Sequence, residues 1–169
     1  MYRVFLGLGS NLGNRIGFLN RAIREINDLA PVKASSSIYE TEPLGMVSEH
    51  QFLNMVIEVE TALRPPELFP PLKAIERKLG RRPGSHMMDR EIDIDILLYD
   101  GISYSDEKLS VPHPQLEHRR FVLEPFKELA PFVVHPTRNQ TIAALLRTCR
   151  DRSRVVRTEF AVDSIHVGS

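Results

Sequence analysis

One cysteine, Cys149, stands in 169 residues, so the chain has no intramolecular disulfide framework and suits a reducing compartment. Cys149 falls on the apolar face of a predicted helix, a packing position rather than a nucleophile's. Neither charge predominates. The 22 Lys and Arg balance 22 Asp and Glu, which argues against a general nucleic-acid binder or a membrane-surface protein, because both show a basic excess. No apolar run approaches the roughly 18 residues that mark a membrane span, and Met1-Tyr2-Arg3-Val4 enters a strand with no signal peptide ahead of it. The expected location is cytoplasmic. Internal repeats and low-complexity linkers are missing too. What is present is the length of one domain, with 42% hydrophobic residues to fill its core. The expected division is one domain over 1–149 and a C-terminal extension over 150–169. Arg150, Arg152, Arg154 and Arg157 in that extension read as a solvated face, on a segment expected to lie on the surface or fray.

Tyr2 to Leu8 alternates Val4, Leu6 and Leu8 inward as a first strand, and runs into a Gly9-Ser10-Asn11-Leu12-Gly13 turn. The glycines at 7, 9 and 13 miss the G-x-G-x-x-G spacing by one residue, which rules out a dinucleotide fingerprint. Ile16, Leu19, Ile23 and Ile26 form the stripe of a helix over about 14–29, capped by Asn14. Lys33 to Thr41 reads as a second, more polar strand. Phe52 to Thr61 is a third, with Leu53, Met55, Ile57 and Val59 on one face and Phe52 and Asn54 on the other. Asn54 beside Phe52 suits an amide reading the edge of a planar ligand while the ring stacks on it. It equally suits a turn-capping Asn beside a partly exposed Phe. Leu68, Leu72, Ile75 and Leu79 predict a second helix that starts near Pro70 or kinks there. A short edge strand over 109–111 and helices over about 119–129 and 140–149 complete the chain. Strands that alternate favour an α+β fold, an antiparallel sheet with helices on one face and a functional surface on the other.

The most informative stretch is Arg90 to Tyr99, R-E-I-D-I-D-I-L-L-Y, in which Ile92, Ile94, Ile96 and Leu98 alternate with Asp93 and Asp95. A strand rises about 3.3 Å per residue, so the two Asp Cα atoms lie roughly 6.5–7 Å apart on one face. At about 7 Å two carboxylates repel by roughly 0.6 kcal/mol in water and about 2.4 kcal/mol at an effective dielectric of 20, a penalty that a bound divalent cation reverses. Such a pair on an outer sheet face is usually only solvating. Here Arg81, Arg82, Arg90, His113, His118 and Arg119 accompany it in sequence. Carboxylates for magnesium beside cationic groups for phosphate are what phosphoryl transfer needs.

Taken in order, Gly9-Ser10-Asn11-Leu12-Gly13, Tyr39-Glu40-Thr41-Glu42-Pro43-Leu44-Gly45, Phe52-Leu53-Asn54, Ile75-Glu76 with Leu79-Gly80-Arg81, Arg90 to Leu97, Val111-Pro112-His113-Pro114 and Arg119-Arg120-Phe121-Val122-Leu123 resemble the 6-hydroxymethyl-7,8-dihydropterin pyrophosphokinases of folate biosynthesis over about residues 2–146. The resemblance implies a ferredoxin-like α+β fold and a catalytic domain over 1–149. It also implies ATP as co-substrate, two magnesium ions, and transfer of diphosphate to the pterin hydroxymethyl group with release of AMP. Small molecules are then the partners, with no nucleic acid, membrane or obligate protein partner. Carried over by residue, Asp93 and Asp95 match metal ligands and, with Arg81 and Arg90, catalytic positions. Lys73, Glu76, Arg90, Ile96, Lys108, Ser110, His113 and Arg119 match the ATP site. Thr41, Pro43, Leu44, Phe52, Asn54 and Phe121 match the pterin pocket, with Phe52 and Phe121 sandwiching the bicycle.

No general base is evident beyond the two aspartates, so metal activation of the hydroxyl is expected to replace one. The chain departs from the family before Arg90. Met87, Met88 and Asp89 stand where an aromatic, Gly and Pro are common, and the 81–90 loop is one residue shorter. A magnesium-dependent nucleotide hydrolase or nucleotidyl transferase would share the aspartates and arginines without needing the aromatic pair and Asn54. A non-enzymatic ligand-binding module would need neither magnesium nor AMP formation.

Overall fold

In a computed structural model of the chain, which describes residues 1–41, 51–80 and 91–164, β1 (Tyr2–Ser10) lies between β5 (Asp93–Tyr99) and β4 (Phe52–Thr61), antiparallel to both. The far edge of β4 is shared by β2 (Val32–Ser35) and β3 (Tyr39–Thr41), and β8 (Val155–Arg157) pairs with β3. The helix α1 (Arg15–Leu29) joins β1 to β2, and α2 (Pro65–Lys78) joins β4 to β5. Counting β2 and β3 as one interrupted strand, the succession is βαββαβ and the spatial order is fourth, first, third, second. This is the ferredoxin-like α+β sandwich. A ribbon of β6 (Tyr104–Ser105) and β7 (Ser110–Val111), a 3-10 turn at Leu116–His118, and the helices α3 (Arg120–Leu129) and α4 (Ile142–Thr148) follow. Among the described residues no helix is long and apolar enough to cross a membrane.

Alternation along β1 sends Val4, Leu6 and Leu8 into a core under α1 and α2, with Leu53, Met55, Ile57 and Val59 from β4. Phe5 goes the other way, joining Val56, Leu123 and Phe126 in a second core under α3 and α4. The Phe5 and Phe126 rings meet at 4.8 Å. Helices therefore cover both faces, not one. Asp93 and Asp95, which alternate with Ile94 and Ile96 of the first core, face this second side.

A β-bulge shifts the phase of β5. Leu6 faces Ile96 and Phe5 faces Leu98, so Leu97 is the extra residue. Leu97 and Leu98 both enter the second core while Tyr99 returns to the first. The uninterrupted alternation expected from Ile92 to Leu98 thus ends at Ile96. The second strand is also interrupted. At Ser36 the side chain replaces the ladder, its Oγ accepting from Val56 N at 2.9 Å while its own N–H donates to Val56 O at 2.8 Å. The helix α2 begins at Pro65, five residues before the predicted start. Pro65 and Pro66 occupy first-turn positions that need no N–H, and Glu67 Oε1 accepts from Arg64 N at 2.9 Å.

Of the extension, the described residues 150–164 lie on the surface, one of the two outcomes expected, and do not fray. Besides β8, Thr158 N donates to Ile38 O at 2.9 Å and Asp163 N to Asn20 Oδ1 at 2.7 Å, which ties 158–163 back to β3 and α1.

Candidate active site

The register of β5 on β1 sets Asp93 opposite Gly9 and Asp95 opposite Gly7, on the face that α3 and α4 share. Gly9 is in turn opposite Asn54, and Asn54 opposite Tyr39. Asn54 and Asp93 therefore stand in one row with only a glycine between them, their Cα atoms about 9–10 Å apart at the usual strand spacing. The glycine is a close-approach requirement. A Cβ on Gly9 would lie 2.7 Å from Asn54 Oδ1 and 3.6 Å from Phe52 Cδ1. Asn54, 8% exposed, donates from Nδ2 to Thr41 Oγ1 at 2.5 Å, and Thr41 itself pairs with Phe52. The four residues Thr41, Phe52, Asn54 and Gly9 make one packed group.

Behind the carboxylates, side chains of α2 complete the exposed edge of β5. Ile94 N donates to Glu76 Oε2 at 2.6 Å, and Lys73 Nζ donates to Ile94 O at 2.9 Å and to Glu76 Oε2 at 3.1 Å. The pair acts as a substitute strand neighbour for the one residue between Asp93 and Asp95. Glu76, 3% exposed, consequently sits at the strand edge beneath Lys73.

In front, a cleft of about 370 Å³ is lined by Phe69, Lys73, Asp95, Ile96, Lys108, Ser110 and His113, with Asp106, Glu107, Leu109 and Pro114 completing it. Lys73 lies 5.4 Å from the Phe69 ring centre. Asp106 fixes the turn that carries Lys108, its Oδ1 accepting from Lys108 N and Leu109 N, both at 2.8 Å. Burial, and then the charge of Asp93, hold the Asp95 carboxyl above its usual range, with Lys73, His113 and Arg119 offsetting them in part. Burial likewise depresses His113, against the pull of Asp95. Its Nδ1 accepts from Gln115 N at 3.1 Å, so the neutral ring carries its proton on Nε2. Arg119 immediately precedes α3, with its guanidinium carbon 5.7 Å from the centre of the Phe121 ring.

The structure thus gathers Lys73, Asp95, Ile96, Lys108, Ser110 and His113 around one cleft, and Thr41, Phe52 and Asn54 around Gly9, with Asp93 between the two groups. Arg119 and Phe121 come from α3. Pro43, Leu44, Arg81 and Arg90 lie outside the described residues, as do the departures at 87–89. Sequence reasoning missed Phe69, hidden between α2 prolines that obscured the helix, and Asp106. It also missed Glu128. That carboxylate accepts from Tyr39 OH at 2.7 Å, Ser37 N at 2.8 Å and Ser37 Oγ at 3.0 Å. Nothing in a helical stripe signals a contact with a strand about 90 residues earlier.

A sequence profile of the 7,8-dihydro-6-hydroxymethylpterin-pyrophosphokinase (HPPK) family matches residues 5–131. The chain belongs to the HPPK family. Similar chains include the 2-amino-4-hydroxy-6-hydroxymethyldihydropteridine pyrophosphokinase of Aquifex aeolicus, 40% identical over 136 residues, which are 80% of this chain and 85% of that one. The Bacillus subtilis protein of the same name is 41% identical over 127 residues, 74% of this chain and 76% of that one. The crystal structure of wild-type Plasmodium falciparum HPPK-DHPS shares the fold, with a TM-score of 0.70 over 86% of this chain at 17% identity. This chain spans 44% of that longer one. Membership of the HPPK family makes the chain a pyrophosphokinase, an enzyme of diphosphate transfer. The family match ends before α4 and β8.

Proposed function

We propose that the chain transfers diphosphate from ATP to the hydroxymethyl oxygen of 6-hydroxymethyl-7,8-dihydropterin, giving the pterin diphosphate and AMP in folate biosynthesis. The observation that carries this reading is the row across three strands, in which a planar amide, Asn54, stands over bare glycine beside the Asp93 and Asp95 pair. A heterocycle read at one end by an amide would extend its substituent toward those carboxylates. The cleft that holds Lys73, Lys108 and His113 opens on their other side.

In this reading Asn54, oriented by Thr41, hydrogen-bonds the polar edge of the pterin, and Phe52 and Phe121 stack on its faces. Pro43 and Leu44 complete that pocket. Lys73, Lys108 and Arg119 neutralise the triphosphate, and His113 adds a neutral donor through Nε2–H. Ile96 and Ser110 line the nucleotide site, Glu76 supports it through Lys73, and Arg81 and Arg90 close over it. The hydroxyl oxygen attacks the β-phosphorus in line and gives up its proton to water, the bond from that phosphorus to the α,β-bridging oxygen breaks, and AMP leaves with that oxygen. Positioning and charge neutralisation supply the rate. Asp93 and Asp95 fit magnesium as a pair of hard oxygen donors on one strand face. Among the described residues no cluster of three His, Cys, Asp or Glu is arranged around a metal site. So sparse a donor set suits an ion that keeps waters and substrate phosphates among its ligands. We assign two magnesium ions to the pair; when bound they supply neutralisation of phosphate oxygens and acidification of the attacking hydroxyl. The supply of ATP and magnesium makes the cytoplasm the proposed location.

The test is incubation with magnesium, ATP and 6-hydroxymethyl-7,8-dihydropterin, with AMP, ADP and the pterin product resolved by chromatography. Pterin-dependent AMP with pterin diphosphate is expected. ADP, or nucleotide turnover that ignores the pterin, would move the assignment to a hydrolase, and binding without turnover would remove the enzymatic reading.

A further inference from the structure

The stretch after α4 returns to the site from behind. Asp151 Oδ2 accepts from the Arg120 backbone N–H at 2.9 Å, and Arg120 Nη1 donates to Ser153 O at 3.2 Å. Ser153 holds Asp151 in place, its N–H donating to Oδ1 at 2.8 Å and its hydroxyl donating to the same oxygen. Beyond it Val155 pairs with Thr41 and Arg157 with Tyr39. Residues 151–157 therefore touch both the first turn of α3 and the end of β3.

The helix α3 starts without a cap of its own. The Arg119 side chain makes no capping hydrogen bond and the first turn has no acidic residue. The first N–H groups of a helix lack internal acceptors, and a carboxylate there also meets the positive end of the helix dipole. Asp151 supplies that acceptor and charge from a position 31 residues later in the chain. The residues on either side of Arg120 are Arg119 and Phe121, which the proposed function sends to the phosphates and to the pterin. At its other end α3 is already held to β3 by Glu128 through Tyr39 and Ser37.

We propose that residues 151–157 form a strap that positions the active site, with Asp151 as its anchor: they fix Arg119 and Phe121 on α3 relative to Thr41 on β3. The inference rests on the roles given above to those three residues, and the strap lies beyond the residues that match the family profile. Asp151 and Ser153 are positioning residues and touch no substrate. Losing the Asp151 acceptor frees only the first turn of α3, because Glu128 still holds the far end. The fraction of molecules with Arg119 and Phe121 in place falls, and apparent affinity falls with it.

The experiment compares the full-length chain with Asp151→Ala and Asp151→Asn, reading KM for pterin and for ATP, kcat, and hydrogen exchange at the Arg120 amide. Asp151→Ala is expected to raise both KM values by roughly two- to thirtyfold, the range of a lost helix cap, with kcat within about twofold and faster exchange at Arg120. Asp151→Asn keeps an acceptor oxygen and is expected to restore most of the KM. Wild-type KM values in Asp151→Ala, unchanged exchange at Arg120, or a KM rise that Asn does not reduce would each overturn the strap. If Asp151→Ala does not fold, Ser153→Ala takes its place. It removes one hydrogen bond from Asp151 and is expected to raise the pterin KM about threefold, an unchanged value again overturning the strap. Wild-type protein that makes no pterin-dependent AMP would sink the underlying reading, whereas wild-type turnover with indifferent variants sinks the strap alone.

Discussion

Gly9→Ala tests the central row most directly, because one methyl group is added at its narrowest point. Gly9 lies in a strand and outside the left-handed region, so alanine fits its backbone, and on that count alone the change would stabilise by about 0.4–1 kcal/mol through the unfolded chain. The added Cβ, however, would sit 2.7 Å from Asn54 Oδ1. Asn54 has little room to yield, since it is 8% exposed, bonded to Thr41 at 2.5 Å, and neighbour to Phe52. Overpacking of this kind costs about 1–3 kcal/mol, and breaking the Thr41 bond adds about 0.5–1.5 kcal/mol. The net expectation is a loss of about 0.5–4 kcal/mol, a fall of about 1–16 °C in Tm for a chain of this size. If Asn54 reads the pterin, its displacement should weaken pterin binding by about 10- to 100-fold while ATP binding changes less than about twofold. Calorimetric titration of each ligand, with a thermal melt of the free protein, measures all three quantities. A stable Gly9→Ala protein with wild-type pterin affinity would refute the close packing of Asn54 over Gly9 and the role given to that amide. Equal loss of both ligands would show general damage instead.

Asp93→Ala and Asp95→Ala should each cut diphosphate transfer by more than about 100-fold, the loss that even an outer partner of a metal site produces. Asp95→Ala should also keep its Tm at or above wild type, because it removes a carboxyl that burial and the Asp93 charge disfavour; near-normal turnover in either variant would remove the metal assignment. Glu76→Ala strands the Ile94 N–H, leaves Lys73 only its bond to Ile94 O, and is expected to cost about 1–3 kcal/mol in urea unfolding, with an unchanged midpoint counting against the substitute-strand role. For Glu128, burial alone would raise the carboxyl, but the bonds from Tyr39 and Ser37 overcome it and hold the group low. A depressed carboxylate stabilises above its unfolded pKa, and that stability disappears as pH falls through the folded value. Wild type should therefore lose more stability than Glu128→Gln as the pH drops below about 4, the ordinary carboxylate range, and parallel urea midpoints would refute it.

Periodicity carried most of the fold. Val4, Leu6 and Leu8, the α1 stripe, and Leu53 to Val59 fall in the predicted core because each is a local pattern with one solution. Asp93 and Asp95 share a face for the same reason. What escaped depends on partners distant in sequence. The bulge at Leu97 is set by how β5 meets β1, Ser36 interrupts its strand by bonding Val56, and Asp151 caps a helix that ended 22 residues earlier. Glu76 was matched to the nucleotide site beside Lys73, and only the edge of β5, whose Ile94 N–H it accepts, explains its burial. Arg152, Arg154 and Arg157 read as a solvated face, and they are exposed, yet the backbone beneath them is the strap.

The bulge also explains why the site sits at one end of the sheet. Under strict alternation Leu98 would join Ile94 and Ile96 beneath α1 and α2, and Tyr99 would turn toward α3. With Leu97 inserted, two leucines face α3 beside Phe5 and Val56, and the Leu97 side chain leans over Gly7, where an added Cβ would meet its Cδ2 at 3.3 Å. Apolar ground therefore extends to Gly7 and stops. Asp95, opposite Gly7, starts the polar floor, followed by Asp93, Gly9 and Asn54. The helix that closes the second core buries Leu123 and Phe126, and just before its beginning stands Arg119, whose charge acts on Asp95 and whose guanidinium lies beside Phe121. The same inserted residue that secures the packing of α3 thus determines where its first turn can reach, and the capping of that turn by Asp151 becomes a matter of ligand affinity as well as of stability.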